Sequence, residues 1–347
     1  MLGNLLSKYM IKQLTSDKVP TVYTEKCMNS RQRRQYCEEC VKACPSKALE
    51  YKKGIHLSKE KCTNCNLCAA ICPSVTFVPM METLEPLYRK VHNQNVITVG
   101  CEQAESEATI KVGCIGELPW EFLAYVALDK QLVLDLSHCI QCEKDVMKTL
   151  VENNLKRLEV FLPNELYEQN VTLSYKKETQ IANQLTRREM FTYLAGQGKS
   201  SVAKAAPFLF PKNEDARVYR TLLVGKVKQL NQEEKKKYGW NSLLVTTSCY
   251  GCKTCEKLCP QEAIKIVNED GAHYFTHNYA KCTHCGICKT VCNQDAIRFS
   301  YSKKDGKRII TACEITVRNC IICNDPIPES EDGLCIICRK KKNRGMR

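Results

Sequence analysis

The chain has 347 residues, 25 of them cysteine, and a formal net charge of +14 from 52 basic against 38 acidic residues. At that length two to four domains are expected, with more than one buried core. A secreted disulfide scaffold is not expected. The run from Met1 to Met10 lacks the apolar core of a secretory signal, and the cysteine count is odd. No stretch approaches the roughly 18 uninterrupted apolar residues of a membrane span. Closely spaced thiols in a reducing, cytoplasmic setting point to metal rather than disulfides. The charge is a weak argument for nucleic acid, because cysteine binds metal as thiolate. Six four-cysteine sites, each filled by a +2 centre, would add about −12 and leave about +2.

Residues 1–92 form the first cysteine-rich stretch. Cys62, Cys65, Cys68 and Cys72, followed by Pro73, read C-x2-C-x2-C-x3-C-P. In such a run three closely spaced thiolates wrap one cuboidal [4Fe-4S] cluster, and the fourth serves its neighbour. Upstream lie Cys37, Cys40 and Cys44-Pro45, but Arg34 stands where a leading cysteine is expected. Cys27 is the nearest substitute, implying a loop insertion around Met28 to Arg34. This pair of runs resembles the two-cluster bacterial-type ferredoxin family. The resemblance implies one cluster on Cys27, Cys37, Cys40 and Cys72, and a second on Cys62, Cys65, Cys68 and Cys44.

Residues 93–165 read as a small α/β domain. Val96 to Val99, Ile110 to Val112 and Leu132 to Leu136 are strand-like; Pro119 to Leu128 and Glu143 to Leu155 are helical. Cys101, Cys114, Cys139 and Cys142 fall near the strand ends, where ligands gather in α/β sheets. The stretch from Val112 through Cys114 and Gly116 to Leu118, then Leu132 to Cys139, resembles the iron–sulfur domain of methyl-viologen-reducing hydrogenase delta subunits. That resemblance implies a [2Fe-2S] cluster on these four cysteines. It departs at the final pair, where only Ile140 and Gln141 separate Cys139 from Cys142, and a zinc site or unliganded thiols are the alternatives.

Residues 166–242 read as a charged helical linker, with Val218 to Leu230 amphipathic and surface-lying and Gln232 to Lys237 solvated. Gly196 to Ser200 mimics a phosphate loop, but Tyr193 stands where its first glycine belongs. Thr186 and Glu189 are spaced as a helix capping box, which is preferred over a twin-arginine signal at Arg187-Arg188. Phe208 to Pro211 is a candidate docking segment.

Residues 243–312 repeat the ferredoxin pattern. Cys249, Cys252, Cys255 and Cys259-Pro260 form one run; Cys282, Cys285, Cys288 and Cys292 form the next. Asn293 replaces the second proline and regains an N–H able to donate to a cluster sulfur. The same resemblance implies clusters on Cys249, Cys252, Cys255 and Cys292, and on Cys282, Cys285, Cys288 and Cys259. Residues 313–347 hold Cys320, Cys323, Cys335 and Cys338, whose paired knuckles suit a tetrahedral zinc ribbon; a [2Fe-2S] or rubredoxin-like iron site is the alternative. Cys313, on a strand between Arg308 and Val317, is expected to be a small buried hydrophobe. The basic tail from Arg339 to Arg344 is expected to be disordered.

The expected architecture is α+β and multidomain: two ferredoxin-like modules, a central α/β domain and a zinc-ribbon-like segment. The expected cofactors are four [4Fe-4S] clusters, a [2Fe-2S] cluster on the reading above, and zinc. With no substrate chemistry visible, the expected function is a cytoplasmic electron-transfer subunit of an oxidoreductase complex. Its partners would be an electron donor or acceptor and a catalytic chain. The alternatives are a thiol/disulfide-type reductase using the central cysteines and a nucleic-acid-associated iron–sulfur regulator.

Overall fold

The computed structural model describes residues 19–32, 37–78, 91–92, 94–104, 106–142, 145–175, 218–303, 310–328 and 332–343. The motifs at 186–191, 196–200 and 208–211 lie outside these residues.

At the centre is a parallel sheet in the order Ile110–Val112, Val96–Cys101, Gln131–Asp135, Val171–Ser174. Its strands read as short apolar runs because a parallel sheet covered by helices has no solvent face. Ile97, Val99, Ile110, Leu132 and Leu134 are fully buried. The helix Trp120–Ala127 lies on the sheet with all its residues buried except Glu121. Asn170 Nδ2 donates to the Ala127 carbonyl at 2.8 Å, satisfying an otherwise orphaned acceptor at that helix end. The long helix Asp145–Phe161 inserts Val151, Leu158 and Phe161 into the same core.

The helix Val218–Gln229 departs from the expected surface connector. Leu222, Leu223 and Val227 are buried in the central core, each worth about 1.5–3 kcal/mol of transfer free energy. Its Arg220 is only 3% exposed and joins three parts of the chain. The guanidinium donates to Glu121 Oε1 at 3.1 Å, to the Tyr279 carbonyl at 2.7 Å and to the Ala280 carbonyl at 3.0 Å. It lies 5.8 Å from the Trp120 ring centre and 5.7 Å from that of Trp240.

On either side of this core one element order recurs. Near the N-terminus Thr21–Val22 pairs with Phe77–Val78, enclosing the helices Glu39–Ala43 and Leu67–Ile71 and the hairpin Leu49–Tyr51/Ile55–Leu57. Later Gly239–Val245 pairs with Ile297–Lys303, enclosing the helices Thr254–Leu258 and Ile287–Thr290 and the hairpin Ile264–Glu269/Ala272–Asn278. The two units touch directly: Gln261 Nε2 donates to the Ser74 carbonyl at 2.8 Å, and Thr283 Oγ1 to the Pro73 carbonyl at 2.9 Å.

The strand Ile310–Ile315 adds to the second hairpin as its edge. Cys313 is exposed there rather than buried, because an edge strand has no neighbour beyond it. The chain then forms the small pair Arg318–Asn319/Pro326–Ile327 and the helix Ile336–Asn343. Residues 339–343 of the basic tail are therefore helical, contrary to the expected disorder. Among the described residues no helix is long and apolar enough to cross a membrane.

Candidate iron–sulfur centres and metal site

The three complete cysteine runs turn in one way. Asn64 and Asn66 (φ 54° and 55°) take left-handed backbone, as do Gly251 and Lys253 (73° and 60°) and His284 and Gly286 (62° and 89°). Asn and Gly tolerate this conformation best. The turn folds N–H groups back on sulfur: Asn64 donates to Cys62 Sγ and His284 to Cys282 Sγ, both at 3.4 Å. Three residues after the last cysteine of every run stands another left-handed residue: Lys47, Val75, Glu262 or Asp295. It aims the next N–H at that cysteine. Ala48 donates to Cys44 Sγ at 3.2 Å; Thr76, Ala263 and Ala296 donate to Cys72, Cys259 and Cys292 at 3.3 Å. Val75 is β-branched, so this backbone costs on the order of 1–3 kcal/mol. Such donors favour thiolate over thiol and tune the potential of whatever the sulfur binds. Asn293 uses its side-chain amide, which donates to the Tyr250 hydroxyl at 3.4 Å.

The incomplete run is built differently. Glu38 (φ −130°) does not turn left-handed. Instead Cys27 sits between two short 3-10 turns, Thr24–Lys26 and Met28–Arg31. The buried Asn29 clamps them to Cys37: its Nδ2 donates to the Cys37 carbonyl at 2.6 Å, and its Oδ1 accepts from the Cys37 N–H at 3.0 Å. Tyr51 adds a hydroxyl donor to the Asn29 carbonyl at 3.2 Å.

The thiols gather across the runs. Burial pushes the Cys40 thiol up to about 12, and the nearby sulfurs of Cys72, Cys37 and Cys27 push the same way. Burial likewise raises Cys68 to about 12, with Cys65, Cys62 and Cys44 adding. Cys255 is raised to about 12 by burial, then by Cys252 and Cys249, with Cys292 also beside it. Cys288 is raised by burial and by Cys282, Cys285, Cys255 and Cys259. Each of these four thiols thus has cysteines from both neighbouring runs beside it. Two further proximities link them: Cys40 feels Cys68, and Cys285 feels Cys72 across the contact between the two units. Packed thiolates of one sign in a dry site need a cationic core to be stable.

The central cysteines also converge. Cys101 ends the strand Val96–Cys101, Cys114 follows Ile110–Val112, and Cys139 and Cys142 follow Gln131–Asp135. The sheet order reverses between the strands ending at Cys101 and Asp135, and such switch points collect ligands at their carboxyl ends. Burial raises Cys139 to about 11, reinforced by Cys114, Cys101 and Cys142. Gly116 lets the Cys114 loop approach the long helix; a Cβ there would lie 2.9 Å from Leu150 Cβ. All four central cysteines line a cavity of about 1030 Å³ that Cys65 and Cys72 also line. Glu117, beside it, is raised to about 7 by burial.

Cys320, Cys323, Cys335 and Cys338 pack most closely. Their sulfurs lie within 4.8 Å of one another, and among the described residues no other group of three or more metal-type donors does so. The Cys323–Cys335 sulfur separation is 3.7 Å, against about 3.8 Å for the edge of a tetrahedron with 2.3 Å Zn–S bonds. N–H groups of Cys335 and Cys338 donate to Cys320 and Cys335 sulfurs, each at 3.3 Å. This set fits a single tetrahedral ion. The sulfurs of the other cysteine sets are not drawn this closely together among the described residues.

A profile of the 4Fe-4S dicluster domain family matches residues 248–296. That span runs from just before Cys249 to just after Cys292, so this part of the chain is a ferredoxin-type iron–sulfur domain. No curated protein matches the chain.

Proposed function

We propose that the chain is a polyferredoxin-type electron-transfer subunit, carrying four [4Fe-4S] clusters between a donor and a catalytic partner. The observation behind this reading is the succession of cysteine groups. Cys249, Cys252, Cys255 and Cys292 adjoin the Cys282, Cys285, Cys288 and Cys259 set through Cys255 and Cys288. That set adjoins Cys27, Cys37, Cys40 and Cys72 through Cys285. The latter adjoins Cys62, Cys65, Cys68 and Cys44 through Cys40 and Cys68. Each set thus adjoins the next, and Cys65 and Cys72 of the last two line one cavity with the central cysteines.

In this reading the first ferredoxin-like unit duplicates the second, and Asn29 makes Cys27 serve for the cysteine missing at Arg34. Cys101, Cys114, Cys139 and Cys142 hold a further cluster in the manner of the hydrogenase delta subunits, forming the terminus toward the partner. Cys320, Cys323, Cys335 and Cys338 hold structural zinc. Bound clusters supply one-electron carriers. The chain's own residues desolvate them, orient the thiolates and set potentials through the N–H···S contacts. The test is reductive titration of the anaerobically purified chain with reduced viologen. Reversible uptake of about five electrons per chain, without added substrate, fits four [4Fe-4S] centres and one more. Uptake of none would overturn the reading.

The cavity favours one alternative, a thiol/disulfide-type reductase using the central cysteines. It requires a central thiol that alkylates in the metal-loaded protein.

A further inference from the structure

The C-terminal ribbon presents a surface that neither electron transfer nor metal binding requires. Both knuckles have the same sequence, Cys320-Ile321-Ile322-Cys323 and Cys335-Ile336-Ile337-Cys338. Cys320 and Cys338 are buried, Cys335 is half-buried and Cys323 is exposed, while both isoleucines of each knuckle turn out. Ile321, Ile322, Ile336 and Ile337 are 77%, 63%, 68% and 65% exposed, whereas Cys320, Leu334 and Cys338 beneath them are buried. The knuckles lie side by side: the Ile321 N–H donates to the Gly333 carbonyl at 3.1 Å, and the Cys335 N–H to Cys320 Sγ at 3.3 Å. The four isoleucines are thus carried on one small, rigid unit.

The loop between the knuckles carries Asp325, Glu329, Glu331 and Asp332, whereas the helix after the second knuckle is basic. Ile336 and Ile337 begin the helix Ile336–Asn343, which contains no acidic residue. Lys340 and Lys341 follow them by four positions, one turn along the same faces, and Lys342 comes next. Arg339 is held by Asp332, with contacts of 2.7 and 2.6 Å. Lys340, Lys341 and Lys342 are exposed and enter no ion pair among the described residues.

We infer that the ribbon docks on an anionic lipid surface, with the isoleucine pairs entering the headgroup–acyl boundary and the three lysines meeting lipid phosphates. Isoleucines this exposed project outward rather than line a groove. A deformable interface accepts projecting apolar side chains without shaped pockets. Lysine stems can lie along the apolar layer while their ammonium groups stay at the headgroups. Neither signal suffices alone, since stable peripheral binding takes an apolar and a basic component together.

The test is co-sedimentation of the full, metal-loaded chain with vesicles of phosphatidylcholine, with or without about one-third phosphatidylglycerol. Binding should be at least tenfold tighter to the anionic vesicles. Replacing all four isoleucines by serine should weaken it at least tenfold with iron and zinc contents unchanged, and Lys340, Lys341 and Lys342→Gln should do the same. If the serine variant loses metal, the single-knuckle variants Ile321→Ser/Ile322→Ser and Ile336→Ser/Ile337→Ser take its place, each weakening binding measurably. Failure of the wild-type chain to sediment would overturn the inference. So would isoleucine-independent binding, which makes the tail a general polyanion binder. A chain dimer dispersed by the isoleucine changes would assign the patch to a second copy instead.

Discussion

Replacing Asn29 by leucine keeps roughly the same volume and removes the clamp between the Cys27 turns and Cys37. Two hydrogen bonds disappear, of 2.6 and 3.0 Å, and both the N–H and the carbonyl of Cys37 lose their side-chain partner. A buried polar group left unsatisfied costs about 1–3 kcal/mol. Both groups are only partly buried, so the lower end applies, about 2–3 kcal/mol for the pair. That corresponds to about 30- to 150-fold in the equilibrium between a placed and a displaced Cys27. The cluster proposed on Cys27, Cys37, Cys40 and Cys72 should become labile while the others stay. The assay is iron and acid-labile sulfide per chain after anaerobic challenge with a ferrous chelator. Asn29→Leu should lose about four iron within a time in which the unaltered chain loses none, and Cys27→Ser should lose the same four. If both variants hold iron as the unaltered chain does, the substitution of Cys27 for the missing ligand is wrong.

Other changes probe the frame around the sites. Arg220→Met should destabilise by about 3–5 kcal/mol, since it strands Glu121, the buried Tyr279 carbonyl and the half-buried Ala280 carbonyl, and a lowered denaturation midpoint would register it. Gly116→Val should cost about 1–3 kcal/mol, because its Cβ meets Leu150, and should shift any absorbance from the central cysteines. Burial holds Cys40, Cys68, Cys255 and Cys285 near 12 against an ordinary 9.0, so the metal-free fold keeps protons that the unfolded chain releases. Its stability is fully present below about pH 9 and falls as the pH climbs toward 12. Thermal midpoints of metal-free protein should therefore drop above about pH 9, whereas cluster-loaded protein, its thiolates already formed, should not follow.

Much of this arrangement was legible because it is local. Cysteines two or three residues apart must share a loop, and the strands ending at Cys101, Val112 and Asp135 announce themselves as short apolar runs. What was hidden depends on distant contacts or on backbone that composition does not reveal. Asn29 is an ordinary polar residue until Cys37 is seen beside it. Arg220 reads as one of many cations, and only the fold puts it between Trp120 and Trp240. The helix Val218–Gln229 has a mixed face whose Leu222 and Leu223 find the core through long-range packing. Cys313 was misjudged because its strand is an edge, which a sequence pattern does not disclose. The left-handed Lys47, Val75, Glu262 and Asp295 carry no glycine to mark them. Their shared place, three residues past the last cysteine of each run, was the signal available.

The proposed cofactor set is four four-cysteine clusters in two ferredoxin-like units, a further cluster at the central cysteines and one zinc ion. Counting iron, acid-labile sulfide and zinc per chain on protein purified without oxygen tests it most directly. About 18 iron, equal sulfide and about one zinc are the predicted values. Several zinc with little iron and no sulfide would contradict it.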